Sequence, residues 1–185
     1  MKKMILSLAL IVSALPFLAQ AQTDFQKGTV VTAANEKLDG IIRDQTKNKG
    51  TILFASATGQ KKIYTPAEIA SYSLNGAVYI SYSSDFYKVV SSGKASLYQR
   101  VTDNSGKMLY NGAEVVSVTT AEGKSGDFYI QAKADGAFVL VTAKNFEAAT
   151  LGALADCAVV VGEIKSKQVD FSQLAKLVEH YNSCK

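Results

Sequence analysis

Short stretches of alternating apolar and polar residues follow one another from Gly28 to about Thr142. Alternation with a period of two is typical of a strand that buries one face of its sheet. Pairs of turn-forming residues separate the stretches: Asn75-Gly76, Ser92-Gly93, Asn111-Gly112 and Asp135-Gly136. Short strands joined by such turns predict a mainly antiparallel β meander, folded as a curled sheet, a sandwich or a partly open barrel.

The clearest strands form two hairpins near the start of this region. Residues 29–32 and 38–42 flank a polar connection, and residues 51–54 and 62–64 flank a turn around Gly59. β-Branched and aromatic side chains are frequent in these stretches, which favours strands over helices. We expect each pair to form an antiparallel hairpin.

A helix signal interrupts the strand pattern after the second hairpin. Thr65 is a capping residue, Pro66 occupies the first helical position, and Glu68 follows three residues after the cap. Tyr64 and Ile69 stand where a hydrophobic staple places its two apolar residues. The segment therefore predicts a single helical turn between two strands.

The hydrophobic period lengthens from two to between three and four after the last strand. Four apolar residues share one face of a helix that begins near Asn145: Phe146, Ala149, Leu154 and Cys157. The apolar run at residues 158–161 fits a buried strand or a buried helix equally well.

The end of the chain carries the strongest helix signal. Asp170 is placed to cap a helix, and Gln173 completes a capping box. An apolar stripe at helical spacing follows: Phe171, Leu174, Leu177, Val178 and Tyr181. We therefore expect an α+β protein with one mature domain, in which residues 22–142 form a β-rich body and residues 143–185 form a tail of two or three helices that covers the sheet.

The first 21 residues have the features of an export signal. Lys2 and Lys3 give a basic start, residues 4–18 are uncharged and apolar, and Ala19-Gln20-Ala21 provides the small-x-small pattern that signal peptidases accept. The order of these features disfavours the alternative, a buried N-terminal helix. We expect cleavage before Gln22 and a periplasmic or secreted protein with no transmembrane segment.

The charge balance limits the class of partner. Removing Lys2 and Lys3 from the twenty basic residues leaves eighteen against sixteen acidic residues, so the mature chain has a net charge of +2. It contains no basic block. The chain therefore lacks the electrostatic footprint of a nucleic-acid-binding protein.

Cys157 and Cys184 are the two cysteines of the chain. In an exported protein, one pair usually forms one disulfide. The bond would close a loop of about 28 residues and stabilise the fold by about 3–4 kcal/mol on the chain-entropy model. The alternative is two free thiols. The C-x-x-C spacing of redox and zinc sites is absent.

The remaining motifs do not form a recognisable catalytic or cofactor site. His180 is the only histidine, and we expect it to offset the dipole of the last helix rather than act as a triad base. Gly123-Lys124-Ser125 lacks the first glycine of a phosphate-binding loop, because Val118 stands there. Ser91 and Lys94 match the Ser-x-x-Lys pattern, but they fall in a strand turn and no Lys-Thr-Gly occurs. We expect no catalytic residue, no cofactor and no metal ion.

Three loosely patterned stretches cover most of the mature chain. They are Gly40-Ile41-Ile42 with Lys62-Ile63-Tyr64-Thr65-Pro66-Ala67-Glu68-Ile69, Phe86-Tyr87-Lys88-Val89-Val90 with Gly93-Lys94-Ala95-Ser96-Leu97-Tyr98, and Ala155-Asp156-Cys157 through Ile164 with Leu177-Val178-Glu179-His180-Tyr181-Asn182. Together they resemble a group of exported proteins of unknown function common in Bacteroidota. The resemblance implies a strand-rich body with a helical tail, and it favours a helix for residues 159–164. It implies no active-site residues.

These observations favour an exported, non-enzymatic protein that binds or scaffolds a protein or glycan partner. The first candidate for a binding face is the region around Tyr72, Tyr79, Tyr82 and Tyr87, since a tyrosine ring offers flat apolar area and a hydrogen-bonding tip. The same tyrosines also fit ordinary strand positions. Two other functions stay open: a small-ligand carrier with a cavity inside a curled sheet, and a hydrolase that uses carboxylates alone.

Overall fold

The computed structural model describes residues 24–111, 114–117, 122–134 and 136–184. The export signal expected at residues 1–21 lies outside the described residues. Most of the elements in the described chain are strands. They are β1 (Phe25–Thr32), β2 (Lys37–Gln45), β3 (Thr51–Ser56), β4 (Lys61–Tyr64), β5 (Ile69–Leu74), β6 (Ala77–Tyr82), β7 (Asp85–Ser91), β8 (Ser96–Arg100), β9 (Met108–Asn111), β10 (Glu114–Ser117), β11 (Phe128–Gln131) and β12 (Val139–Val141).

Ten of these strands form one antiparallel sheet in the order β12-β11-β8-β7-β6-β5-β1-β2-β3-β4. The sheet is not closed, so β12 and β4 are its two edges. Both expected hairpins are present, because β1 pairs with β2 and β3 pairs with β4. β1 also pairs with β5, which places the first strand inside the sheet. β9 and β10 form a separate hairpin between β8 and β11 in the chain.

Helices follow the last strand, as the change of period predicts. They are α2 (Phe146–Ala153), α3 (Ala158–Lys165) and α4 (Leu174–Ser183), and a short 3₁₀ turn at Phe171–Gln173 leads into α4. The expected capping box is present: Asp170 accepts a hydrogen bond from the Ser172 N–H at 2.8 Å, and Gln173 accepts one from the Asp170 N–H at 3.1 Å. The prediction of an α+β fold is confirmed. None of the described helices has the length and apolarity that crossing a membrane requires.

One local element is absent from the predictions, and another differs from its prediction. A four-residue helix, α1 (Thr46–Lys49), joins β2 to β3, and it is too short to show a hydrophobic period. The segment at Thr65 is a hydrogen-bonded turn rather than a helical turn. The Glu68 N–H donates to the Thr65 carbonyl at 3.1 Å, and the Glu68 carboxylate accepts from the Thr65 N–H at 2.9 Å. The Glu68 half of the capping box therefore forms, whereas the Thr65 hydroxyl donates to the Glu68 carboxylate at 3.0 Å instead of capping its N–H. β5 begins at Ile69, directly after this turn.

The two faces of the sheet can be assigned from the strand register, since direct cross-strand partners point to the same face. One row of partners runs Tyr72, Tyr79, Lys88, Gln99 and Phe128. The Phe128 ring lies 6.0 Å from the ring of Phe171, which belongs to the helical tail. This row therefore lies on the face that the helices cover, termed the helix face. Side chains alternate along each strand, so the row Val89, Tyr98, Tyr129 and Leu140 lies on the opposite face.

Buried apolar side chains fill the helix face at both ends of the sheet. One cluster lies between the helices and the sheet and includes Leu97, Ile130, Val141, Leu154, Val160, Ile164, Leu174, Leu177 and Val178. A second cluster belongs to the first half of the chain and includes Val30, Ile42, Ile52, Phe54, Tyr72, Leu74 and Phe86. A Cβ at Gly28 would lie 2.6 Å from Cδ1 of Ile42, and a Cβ at Gly40 would lie 2.7 Å from the Phe54 ring. Neighbouring side chains therefore pack directly over the strand backbone on this face.

The helical tail is tied to the rest of the fold by a disulfide and by polar contacts. Cys157 and Cys184 form the expected bond, with their Cα atoms 6.2 Å apart. Cys157 immediately precedes α3, so the bond joins α3 and α4 rather than the end of α2. The side chain of Asn182 accepts from the Ala95 N–H at 2.8 Å and donates to the Ala95 carbonyl at 2.9 Å. These two bonds hold the end of α4 against the start of β8.

Candidate functional site

The four candidate tyrosines lie on two different faces of the sheet. Tyr72 and Tyr79 are direct partners on the helix face, where their rings stack 4.5 Å apart. Tyr72 is 1 % exposed and packs against Phe86, so it belongs to the core. Tyr82 and Tyr87 lie on the opposite face, with their rings 6.0 Å apart and nearly perpendicular. The structure therefore separates the expected tyrosine face into two pairs, and Tyr82, 37 % exposed, lies in the second.

Tyr82 and Tyr87 belong to a larger group, termed the aromatic cluster, which also contains Tyr98, Tyr129 and Phe138. The Phe138 ring lies between two tyrosines: it stacks 3.9 Å from Tyr82 at an angle of 8°, and 4.5 Å from Tyr98 at 12°. The Tyr87 ring meets Phe138 at 5.2 Å and 84°, and meets Tyr129 at 5.3 Å and 86°. Both arrangements are favourable for aromatic pairs.

The strand register creates the space that Phe138 fills. Tyr87 pairs directly with Ile80 on β6 and with Arg100 on β8. Tyr82 follows Ile80 by two residues, and Tyr98 precedes Arg100 by two residues. Because β6 and β8 run in the same direction, the two tyrosines are displaced from Tyr87 in opposite directions along the strand axis. Such diagonal neighbours are about 7–8 Å apart, within reach of aromatic side chains. The two rings therefore stand on either side of Tyr87, and the space between them, termed the aromatic slot, holds one ring above Tyr87.

A buried ion pair supports one side of the cluster. Asp85 and Arg100 are both fully buried, and Nη2 of Arg100 lies 2.6 Å from Oδ2 of Asp85. Arg100 also donates to the carbonyls of Glu122 and Gly123 at 3.2 and 2.9 Å. The Tyr129 hydroxyl donates to the same Glu122 carbonyl at 2.7 Å. Arg100 and Tyr129 are thus fixed to one backbone segment.

The turn that carries Tyr82 has an unusual backbone. Ser83 and Ser84 join β6 to β7, and their φ angles are +45° and +66°. Left-handed backbone is unfavourable for residues other than glycine by about 1 kcal/mol each. The side-chain amide of Asn104 donates to the Ser84 carbonyl at 3.0 Å and helps to hold this conformation. Asn104 itself is 1 % exposed, so the strained turn rests on a buried support.

A small pocket of about 120 Å³ opens beside the cluster, between Tyr82, Tyr129, Phe138 and Leu140. Burial raises the pKa of the Tyr87 phenol, against an opposing effect from Arg100. Burial also raises the pKa of Tyr129, against the same opposing effect. Both phenols therefore stay protonated and uncharged at neutral pH. Ser83 and the exposed Glu122 line the pocket together with the aromatic and apolar side chains.

A larger groove of about 690 Å³ crosses β5, β1, β2 and β3 on the same face. It is broad, and its floor is built from small residues, among them Gly28, Gly40 and Ala55. Inside it the Thr29 hydroxyl donates to the Asp39 carboxylate at 2.6 Å, so these polar groups satisfy each other. The groove offers a shallow apolar surface rather than a chemically defined site.

The residues with catalytic potential are engaged in structural contacts. Nδ1 of His180 lies 3.2 Å from the Glu163 carboxylate, which links α4 to α3 in addition to any effect on the helix dipole. Lys94 of the Ser-x-x-Lys pattern pairs with Asp156 at 3.0 Å. Within the described ranges, no three His, Cys, Asp or Glu side chains come together in a way that could hold a metal ion.

No family model, curated protein or solved structure matches this chain. The resemblance to exported proteins of Bacteroidota therefore stays a prediction.

Sequence reasoning missed Tyr98, Tyr129 and Phe138. A local signal for the two tyrosines exists: each neighbours a residue that is buried under the helices, Leu97 or Ile130, and alternation sends adjacent side chains to opposite faces. Phe138 gives no such signal, because it precedes a three-residue strand and follows a turn.

Proposed function

We propose that the mature protein is an exported, non-enzymatic binding module that contacts its partner through the aromatic cluster. The observation that carries this proposal is the stack of Tyr82, Phe138 and Tyr98 beside a small open pocket, with Tyr82 37 % exposed. Tyr82 and Phe138 are partly exposed, while Tyr98 is 8 % exposed and supports them from below. Rigid exposed rings offer contact area at a low cost in conformational entropy. The helices pack on the other face, so they leave this surface accessible.

Export is supported by two independent features. The disulfide between Cys157 and Cys184 is typical of oxidising compartments, where such bonds form and persist. The basic, apolar and small-residue order of residues 1–21 is typical of a cleavable signal. We therefore assign the mature protein to the periplasm or the secreted fraction.

The binding function is better supported than a carrier or a hydrolase. The helix face of the first half of the sheet is packed with side chains, including Ile42 and Phe54 over Gly28 and Gly40, where a carrier needs a cavity. The buried carboxylate of Asp85 already accepts bonds from Arg100, the Thr102 hydroxyl and the Asn104 N–H. It is therefore not available to a substrate.

The test is a substitution that removes the exposed wall of the cluster. Protein recovered after export is screened against a displayed peptide library and a glycan array, and the affinity of each retained ligand is then measured for Tyr82→Ala. Truncation of an aromatic hot-spot residue commonly costs about 2 kcal/mol or more, so we expect a loss of affinity of about thirtyfold.

The matched control is Tyr79→Ala, which removes a tyrosine from the same strand but from the helix face. We expect this variant to keep its affinity, provided that thermal unfolding shows it to be folded. The proposal is wrong if Tyr82→Ala binds like the wild type, or if the screen retains neither a peptide nor a glycan.

A further inference from the structure

The ring in the aromatic slot comes from a connection between strands, not from a strand. β12 pairs with β11 from Val139 onward, so Phe138 lies one residue outside the paired residues. The preceding turn is closed by the Gly136 N–H, which donates to the Lys133 carbonyl at 2.8 Å. The two sides of the slot are therefore the rings of Tyr82 and Tyr98, which belong to strands of the sheet. Phe138, which fills the slot, is not paired with any strand.

One side chain couples this turn to the wall of the slot. The Gln131 side-chain amide donates to the Gly136 carbonyl at 2.8 Å and to the Ala134 carbonyl at 3.1 Å. Its oxygen accepts from the Tyr98 hydroxyl at 3.1 Å. Gln131 thus positions the turn relative to Tyr98, while the Phe138 ring itself is held by stacking.

Phe138 can leave the slot without unfolding the edge of the sheet. Its side chain is only partly buried, and the pocket of about 120 Å³ adjoins it. Val141, at the other end of β12, is 1 % exposed and packs in the core under the helices. Rotation of the Phe138 side chain breaks neither the pairing of β12 nor that core contact.

Resting on the proposed function, we propose that Phe138 is an internal plug of the aromatic slot, and that the ligand is an extended peptide whose aromatic side chain takes its place between Tyr82 and Tyr98. The occupant seen in the structure is itself an aromatic side chain on an extended segment. It therefore shows the shape and chemistry that the slot accepts.

The polar groups around the slot favour a peptide over a sugar. The hydroxyls of Tyr98 and Tyr129 already donate to Gln131 and to the Glu122 carbonyl. A pyranose ring in the slot would bring several hydroxyl groups that need partners, and beyond the tyrosines the lining of the adjoining pocket supplies only Ser83 and Glu122 for them. An aromatic side chain needs only the stacking that Phe138 already shows.

The experiment uses a peptide that copies the plug. The blocked peptide Gly-Ala-Phe-Val-Leu, identical to residues 136–140, is titrated into the wild type and into Phe138→Ala. If the plug occupies the slot about nine-tenths of the time, its removal raises the affinity for the peptide about tenfold. The ring protons of the bound peptide should shift upfield in NMR spectra, because they lie between two aromatic rings.

Four controls separate the slot from a general effect of losing a ring. Phe171→Ala removes a phenylalanine from the helix face, where it packs on Phe128, and we expect it to leave the affinity for the peptide unchanged. The peptide Gly-Ala-Ala-Val-Leu should not bind to Phe138→Ala. Adding Tyr98→Ala to Phe138→Ala should abolish the gain in affinity, because it removes one wall. Phe138→Leu, which keeps an apolar filling, should show an intermediate gain.

The outcomes distinguish this inference from the proposed function. The proposal that Phe138 is a plug is wrong if the wild type, Phe138→Ala and Phe138→Leu bind the peptide with equal affinity. It is also wrong if neither variant binds the peptide. Binding of maltotriose instead of the peptide to Phe138→Ala overturns the choice of ligand. In each case the Tyr82→Ala measurement on ligands from the screen decides the proposed function separately.

Discussion

At the scale of single residues, the most demanding position is Arg100. Its side chain is fully buried on the same face as the aromatic cluster, and it is compensated by the Asp85 carboxylate and by three backbone carbonyls, those of Thr102, Glu122 and Gly123. A buried charge is tolerated only when it is paired and hydrogen-bonded, because its desolvation is otherwise too costly. The pair therefore fixes the position of the Glu122 carbonyl, to which the Tyr129 hydroxyl of the cluster also bonds.

We expect Arg100→Met to lower the free energy of unfolding by about 3–5 kcal/mol, since it leaves the Asp85 carboxylate buried without its partner. Chemical denaturation measures the loss. Arg43→Met is the matched control, because Arg43 pairs with Asp24 at 3.3 Å on the exposed surface and such a pair contributes about 0–1 kcal/mol. Similar losses for the two variants would contradict this assignment.

At the scale of elements, two hairpin turns of the same length differ in their chemistry. Asn75-Gly76 joins β5 to β6, with φ angles of +50° and +78°. Ser83-Ser84 joins β6 to β7 with nearly the same backbone, but without a glycine. Asn-Gly is the preferred sequence for a two-residue turn of this kind. The turn with the less favourable sequence is therefore the one that adjoins the exposed ring of Tyr82.

We expect Ser84→Gly to raise the free energy of unfolding by about 0.5–1 kcal/mol, because glycine adopts positive φ without a steric penalty. The reverse change at the equivalent position, Gly76→Ser, should lower it by a similar amount. Paired denaturation curves measure both. A destabilising effect of Ser84→Gly would show that the serine side chain contributes more than the backbone costs.

At the scale of the whole molecule, the helices and the disulfide belong to one face and the aromatic cluster to the other. The bond between Cys157 and Cys184 closes the C-terminal helices on themselves, and Asn182 holds α4 against Ala95 at the start of β8. The disulfide therefore contributes to stability from the face opposite to the proposed binding surface.

We expect Cys157→Ala with Cys184→Ala to lower the free energy of unfolding by about 3 kcal/mol, because the unfolded chain regains the freedom that the closed loop removes. Ligands found in the screen should keep their affinity, since the cluster lies on the opposite face. Denaturation with and without a reductant, together with the binding measurement, tests both statements. A loss of binding in a folded variant would show that the two faces are coupled.

Most local features of this fold follow from neighbouring residues, and the sequence alone predicts them; the turn at Thr65 and the short helix α1 are the exceptions. Strand alternation, turn pairs and the Asp170 capping box depend only on residues that are close in the chain. The disulfide is predicted because the chain contains only two cysteines. The structure confirms the hairpins, the capping box and the bond between Cys157 and Cys184. These predictions succeed because local backbone preference and cysteine count do not depend on which strands become neighbours.

The candidate site depends on strand order and register, which no local pattern contains. Alternation alone separates Tyr79 from Tyr82, because they are three positions apart on one strand. It does not show that Tyr98 lies diagonally across Tyr87 from Tyr82, since that depends on the register of β7 with both of its neighbours. Nor does it place Phe138 in the slot, because that residue lies outside the ladder. Tertiary structure alone decided the site, since contacts between distant segments set the register.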